Sequence, residues 1–183
     1  ALVRIFHEGA DPLHKVSIIP RGMALGVTAS LPIDEKHSYT KDYILAEMAV
    51  LLGGRCAEEL VFGKDKITTG ASNDIERVTN LARNLVCKWG MSALGPLTFG
   101  KKDEEIFLGK EIATHKDYSE KTAQTIDDQI ISIVSERQEI AMNLLKQYRK
   151  ELDLVANALI EKESLDYQQI KELMENYNKE ASE

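Results

Sequence analysis

The sequence has few cysteines and no long apolar run, and both absences exclude classes of protein. Cys56 and Cys87 are the two cysteines among 183 residues, too few for the disulfide framework of a small secreted domain. Neither lies in a Cys-x-x-Cys or Cys/His cluster of the kind that holds structural zinc. No apolar run reaches the roughly 18–20 residues that span a bilayer. We therefore expect reduced thiols and no membrane span in these residues.

Basic residues are also outnumbered. Lys and Arg total 23 against 30 Asp and Glu, which gives a net charge of −7. A generic nucleic-acid surface needs a basic face to displace counterions, so we expect no nucleic-acid partner. The hydrophobic share of 43% and the charged share of 29% are typical of a soluble globular protein, and the length suits one domain.

The chain changes character from strands to helices. Two short strands, predicted over residues 14–19 and 25–31, are rich in β-branched residues, and each ends at a proline. We expect them to form a small sheet with an exposed edge. Apolar spacing then predicts helices over residues 39–52, 55–62, 72–89, 119–149 and 152–161 and from Asp166 onward, with a long loop over 91–116. The pair Gly53-Gly54 marks either a break or the close approach of another backbone.

Cap signals predict where two of these helices begin. Asn73 is predicted to cap the helix over residues 72–89. Asp166 precedes the last helix with Gln169 at the capping-box position, and Leu165 and Ile170 occupy the two positions of a hydrophobic staple. The fold class is therefore mainly α with a small β-sheet near the N-terminus and a C-terminal helical bundle.

Asp74 is the residue whose position most suggests chemistry. It falls in the first turn of its helix, where the helix dipole favours an acid. It also heads an apolar stripe that keeps one helix face: Asp74, Val78, Leu81, Leu85 and Trp89. Asp74 should then point inward, and a buried carboxylate is costly unless it is paired or binds a metal. The pattern alone leaves open a capping role and a functional role.

The stretch around Asp74 also carries a resemblance. Thr68-Thr69-Gly70-Ala71-Ser72-Asn73-Asp74-Ile75 closely resembles the signature that supplies the third zinc ligand in the FtsH family of membrane-anchored, ATP-dependent zinc proteases. Further matches lie in family order on both sides of this stretch, at residues 14–22, 24–28, 53–59, 89–92, 94–97 and 107–109. The resemblance covers roughly residues 1–175 and implies a zinc-protease-like helical peptidase domain, with a core over 1–117 and its C-terminal bundle over 118–183.

The resemblance implies a zinc site to which this chain contributes one ligand, Asp74. In the family, a His-Glu-x-x-His helix supplies two imidazoles one turn apart and the general-base glutamate. Here Ala1-Leu2-Val3 looks like the continuation directly after the second histidine, so those groups are expected upstream of Ala1. No catalytic residue is assigned in the 183 residues, which we expect to be inactive by themselves.

The histidines of the chain do not replace the missing pair. His7-Glu8 is followed by His14, separated by a glycine, a proline and a predicted turn, so two imidazoles cannot face one metal from one helix. His37 and His115 lie in loop-like stretches and are expected at the surface.

Glu58 and Glu59 are alternative acid ligands. They follow the glycine pair on a helix that we expect to pack against the missing zinc-binding helix. The competing interpretation is structural pairing with Arg55, three or four residues earlier.

The second predicted strand is a candidate substrate-binding edge. The residues are Gly26, Val27, Thr28, Ala29 and Ser30. Zinc proteases often add extended substrate to a sheet edge through main-chain hydrogen bonds, a mode that suits unfolded chains of any sequence. An ordinary strand without this role remains equally open.

The resemblance also implies partners beyond the chain. An upstream ATPase module would bind ATP and Mg²⁺, and an upstream anchor would hold a hexamer at the cytoplasmic face of the bacterial inner membrane or an organelle equivalent. Substrates would be unfolded or membrane proteins, as in protein quality control. The alternative is a non-catalytic oligomerisation or assembly module of an FtsH-like paralogue.

Overall fold

The computed structural model describes residues 1–20, 26–31, 38–100 and 118–180. Within them the order of elements is α1 (Leu2–Phe6), β1 (Leu13–Ser17), β2 (Val27–Ser30), α2 (Lys41–Phe62), α3 (Ser72–Cys87), α4 (Glu120–Gln147), α5 (Arg149–Lys162), β3 (Ser164–Asp166) and α6 (Tyr167–Glu180). The predicted fold class, mainly α with a small sheet near the N-terminus, is confirmed. The part of the predicted loop beyond residue 100, and His37 and His115, lie outside the described residues.

The small sheet has the antiparallel order β2-β1-β3. Val16 at the centre pairs with Thr28 of β2 and with Leu165 of β3. β2 is an edge strand of this sheet, as the sequence predicted. β3 was not predicted, because its three residues are too few to show a strand period, and their partners lie about 150 positions earlier in the chain.

α2 is the central helix, and it runs unbroken through Gly53-Gly54. The predicted interruption is therefore wrong, and the glycine pair instead allows a close approach. A Cβ atom at Gly53 would lie 3.0 Å from Cγ2 of the buried Val3, so α1 packs on α2 at this point. Helices α1, α3 and α4 all pack against α2, which explains why its buried residues are not confined to one stripe.

The two glycines of α2 should respond differently to alanine. Gly54 has open space where a Cβ would stand, so Gly54→Ala should stabilise the helix by about 0.5–1 kcal/mol. Gly53→Ala gains the same helix propensity, but the contact with Val3 opposes it, so this variant should be the less stable of the two. Urea unfolding of both variants measures the difference, and a Gly53→Ala chain as stable as Gly54→Ala would contradict the packing of α1.

The C-terminal helices share the core of the N-terminal part. α4 starts at the predicted place, where Ser119 accepts a hydrogen bond from the Thr122 N–H at 3.2 Å, and it packs on α2 and α3. The predicted capping box of α6 is confirmed: Gln169 N–H donates to Asp166 Oδ1 at 2.8 Å, and Asp166 N–H donates to Gln169 Oε1 at 2.9 Å. The two staple residues beside it are fully buried.

The helices differ in length but share one limit. Among the helices of the described ranges, α4 and α2 are the longest, with 28 and 22 residues. Both carry charged side chains along their length, and none of the helices in the described part of the chain is long and apolar enough to cross a bilayer.

Candidate metal and peptide-binding site

A cavity of about 900 Å³ lies between the sheet, α2 and α3. Its wall includes Asp74 of α3 and four of the five predicted substrate-binding residues: Gly26, Val27, Thr28 and Ser30. The structure thus brings the predicted metal ligand and the predicted peptide edge to one cavity, although they are more than 40 positions apart in the chain. Ala29 does not line the cavity.

Asp74 lies in the first turn of α3, half-buried at the cavity wall. Its side chain makes no hydrogen bond or ion pair with any residue that the structure describes. The predicted stripe is right for Val78 and Leu85, which are buried. It fails at Trp89, which lies beyond the end of the helix and is 42% exposed where it lines the cavity.

The start of α3 differs from the prediction. Its N-cap is Ala71, which offers no side-chain hydrogen bond, and Asn73 lies inside the helix. A short 3-10 turn, Thr69–Ala71, leads directly into α3, and the Thr68 hydroxyl caps that turn by accepting from the Gly70 N–H at 3.1 Å. The capping signal was therefore present in the sequence, but it belongs to a threonine five residues earlier than expected.

Two other carboxylates of the cavity wall are already engaged. Arg4 holds Glu47 through two contacts, Nη1 to Oε1 at 2.8 Å and Nη2 to Oε2 at 3.1 Å. Tyr43 donates its hydroxyl to Asp11 Oδ2 at 2.7 Å. Burial first, and then this hydrogen bond, raises the pKa of Tyr43 far above its usual value.

These paired groups had no signal in the sequence. Arg4 and Glu47 are 43 positions apart, and Tyr43 and Asp11 are 32 positions apart, so no local spacing links them. Their pairing has a consequence for the site. Among the described carboxylates of the wall, Asp74 is the one left without a protein partner.

The alternative acid ligands point elsewhere. Glu58 accepts from the Thr68 hydroxyl at 2.7 Å and from the Thr68 N–H at 3.3 Å. These two hydrogen bonds lower the pKa of Glu58. Glu59 pairs with Lys64 at 3.4 Å. Arg55 donates to the Thr68 carbonyl oxygen at 3.2 Å, so the predicted pairing of Arg55 with either glutamate is not formed.

His7 and His14 do not contribute to the cavity. The His7 ring lies 2.6 Å from the backbone oxygen of Glu8, and His14 is exposed on β1. Within the described ranges, no group of three or more His, Cys, Asp or Glu side chains could hold a metal ion. A zinc site with three protein ligands therefore fits this cavity only in part, through the oxygen of Asp74.

The N-terminal residue lies at the same cavity. Ala1 lines it beside Gly54 of α2. Any residue joined ahead of Ala1 would therefore enter the structure at the wall that carries Asp74.

On one side of β2, no strand in the described part of the chain pairs with its backbone, and Val27, Thr28 and Ser30 line the cavity. Leu31 N–H donates to the Pro12 carbonyl oxygen at 3.2 Å, and main-chain groups alternate in direction along a strand. The N–H groups of Thr28 and Ser30 therefore point away from β1, and no other described strand pairs with that side. Gly26 precedes the strand, and a Cβ there would lie 2.9 Å from the Ser17 carbonyl oxygen, so only glycine allows this approach.

Comparison with known proteins gives one consistent result. The family model described as peptidase family M41 matches residues 1–173. The chain is 51% identical over 175 residues to an ATP-dependent zinc metalloprotease FtsH of Acidobacterium capsulatum, which covers 96% of the chain and 27% of that protein. A protein of the same name from Magnetococcus marinus is 47% identical over 175 residues, covering 95% and 26%. One from Thermotoga maritima is 44% identical over 176 residues, covering 95% and 28%. The chain therefore spans about a quarter of the length of these curated relatives.

Proposed function

Because the chain belongs to peptidase family M41, we propose that it is the peptidase domain of an ATP-dependent zinc endopeptidase whose remaining metal ligands and general base precede Ala1. One observation carries the proposal: within the described residues, a carboxylate without a protein partner, Asp74, and a strand edge without a pairing strand, β2, line the same cavity. A metal that activates water needs the first, and an extended peptide needs the second.

The donor set of the cavity suits a zinc ion completed from outside the chain. Asp74 would supply one oxygen ligand, and a helix that leads into α1 from residues ahead of Ala1 would bring two imidazoles to the same wall. Zinc so bound would supply an activated water near neutral pH. Arg4 and Tyr43 hold Glu47 and Asp11, so these neighbouring carboxylates do not compete for the metal. By this account, the 183 residues alone do not hydrolyse peptides.

The β2 edge would hold the substrate in an extended form. Main-chain hydrogen bonds from Thr28 and Ser30 do not depend on substrate sequence, which suits a protease acting on unfolded chains. The exposed Val27 and the half-buried Ala29 leave the edge free of bulky charged side chains that would block pairing.

Thr28→Pro in the full-length protein should raise the KM for an unfolded protein substrate about fivefold. Proline removes the outward N–H of Thr28, and one main-chain hydrogen bond contributes about 1 kcal/mol. The pairing with β1 is kept, because an edge strand tolerates proline where the N–H faces outward. Steady-state cleavage of a fluorescently labelled unfolded protein measures the change.

Thr28→Val is the matched control, because valine keeps the N–H and nearly the shape of threonine. It should leave KM unchanged. If the proline variant also keeps the original KM, while thermal melting shows it to be folded, β2 does not bind substrate through its backbone.

The proposal extends to the longer protein that the relatives' length indicates. An upstream ATPase module would use ATP and Mg²⁺, and an upstream membrane anchor would place a hexamer at the cytoplasmic face of the bacterial inner membrane or an organelle equivalent. Unfolded and membrane proteins would be its substrates. Sequencing the residues ahead of Ala1 tests this directly, since a His-Glu-x-x-His pentamer supports the enzyme and any other pentamer supports a non-catalytic assembly module.

A further inference from the structure

A cluster of hydrogen bonds outside the cavity holds the segment that carries Asp74. Glu58 lies one turn beyond the cavity on the same face of α2 as Glu47, Leu51 and Gly54, which line it. At that turn α2 meets the chain at Thr68, and all the polar groups of Thr68 are engaged there. Its N–H and hydroxyl donate to the two carboxylate oxygens of Glu58, at 3.3 and 2.7 Å. Its carbonyl oxygen accepts from Arg55 at 3.2 Å.

The start of α3 depends on this cluster, because the helix has no cap of its own. Ala71 at the N-cap position has no side chain that accepts a hydrogen bond. The chain instead runs from Thr68 through the 3-10 turn into α3, with the Thr68 hydroxyl also accepting from the Gly70 N–H. Gly70 permits the close fit, since a Cβ there would lie 3.2 Å from Thr68 Oγ1. Because residues 69–74 form a 3-10 turn that continues directly into a helix, the position of Thr68 largely fixes the position of the Asp74 backbone.

We propose that Glu58 is a positioning residue: together with Arg55 it holds Thr68 by hydrogen bonds and thereby fixes the Asp74 carboxylate at the cavity wall. The inference rests on the proposed function, because it assigns a purpose to the placement of Asp74. Glu58 and Arg55 do not line the cavity, so they act through the backbone and not on metal or substrate. A charged carboxylate that takes two hydrogen bonds from one residue fixes orientation better than apolar packing would.

Zinc affinity of the full-length protein is the direct test, measured by competition with a chromophoric chelator. Glu58→Gln and Thr68→Val should each weaken zinc binding by roughly 10–100-fold, the usual effect of losing a partner that orients a ligand. Thr68→Ser keeps the hydroxyl and should therefore bind zinc as tightly as the original protein. Glu59→Gln is the matched control, because Glu59 is adjacent to Glu58 but pairs with Lys64 outside the cluster. This variant should leave the zinc affinity unchanged.

A second readout separates positioning from general destabilisation. With Co²⁺ in place of zinc at saturating concentration, Glu58→Gln should change the visible absorption spectrum, which reports ligand geometry. A variant that is only less stable would keep the spectrum. If Glu58→Gln yields no folded protein, the comparison of Thr68→Val with Thr68→Ser decides the question alone.

Asp74→Asn distinguishes the two possible failures. Loss of zinc in Asp74→Asn, with unchanged affinity in Glu58→Gln and Thr68→Val, overturns the positioning role and leaves the ligand assignment standing. Unchanged zinc in Asp74→Asn overturns the proposed function itself. Equal weakening by Thr68→Ser and Thr68→Val would also overturn the positioning role, because the hydroxyl would then not be what holds the segment.

Discussion

Asp74→Asn in the full-length protein should lower kcat/KM for peptide cleavage by more than about a hundredfold, since even partners that only orient a ligand contribute 10–100-fold. The amide keeps the size of the side chain but removes the charge that binds a metal cation. ATP hydrolysis should be retained, because Asp74 lies in the peptidase cavity. Cleavage of a short fluorogenic peptide, measured beside ATP turnover, separates the two activities.

Glu76→Gln provides the matched control for this loss. Glu76 is an exposed acid two residues further along the same helix, and it does not line the cavity. Its replacement removes the same charge from the same helix turn and should leave cleavage unchanged. A similar loss in both variants would mean that the charge of α3, and not a ligand position, matters for activity.

Leu165→Ala should lower the free energy of unfolding by about 3 kcal/mol, within the usual range for deleting a buried leucine side chain. Leu165 is fully buried in β3 and pairs with Val16 at the centre of the sheet. The cavity left by alanine lies where β3, next to the C-terminal helices, pairs with β1. The lost packing therefore destabilises both the sheet and the contact between the sheet and these helices. Urea unfolding of the 183-residue chain, followed by circular dichroism, measures it.

Ile160→Ala is the comparison for this variant. Ile160 is an aliphatic residue of similar size only five positions earlier, but it is 72% exposed. Its replacement should change the free energy of unfolding by less than about 0.5 kcal/mol. Equal effects of the two substitutions would contradict the burial of β3 against β1.

The features that the sequence predicted correctly are those set by neighbouring residues. The capping box of α6 depends on Asp166 and Gln169, three positions apart, and it forms as expected. The start of α4 at Ser119 was also predicted, and the hydrogen bond that the Ser119 side chain accepts there from the Thr122 N–H is equally local. Helix periods and edge-strand character likewise depend on residues within a few positions of each other.

The features that were missed depend on partners far along the chain. Gly53-Gly54 predicted either a break in the helix or a close approach; the helix is unbroken, and the close approach is that of Val3, which leaves little room for a Cβ at Gly53. β3 exists because β1 offers it a partner, and three residues alone carry no signal.

The candidate site divides along the same line. Asp74 was assigned by the resemblance, and the β2 edge was a candidate taken from the strand prediction and from the way zinc proteases often bind extended peptides; the structure adds that Asp74 and most of the edge residues line one cavity. The pairs Arg4–Glu47 and Tyr43–Asp11, which occupy the other carboxylates, join residues with no local relation. Glu58 was a plausible metal ligand from the sequence, because it is an acid in a family motif. In the structure its carboxylate accepts hydrogen bonds from Thr68, ten positions away, and is not free to bind a metal ion.

Zinc content is the most direct test of the central claim that Asp74 completes a metal site begun ahead of Ala1. Elemental analysis, with intact mass on the same samples, would compare the full-length protein, its Asp74→Asn variant and the 183-residue chain. We predict about one zinc per chain in the first and close to none in the other two, because catalytic zinc needs three protein ligands. Zinc retained at about one per chain in Asp74→Asn, or bound tightly by the 183 residues alone, would contradict the claim.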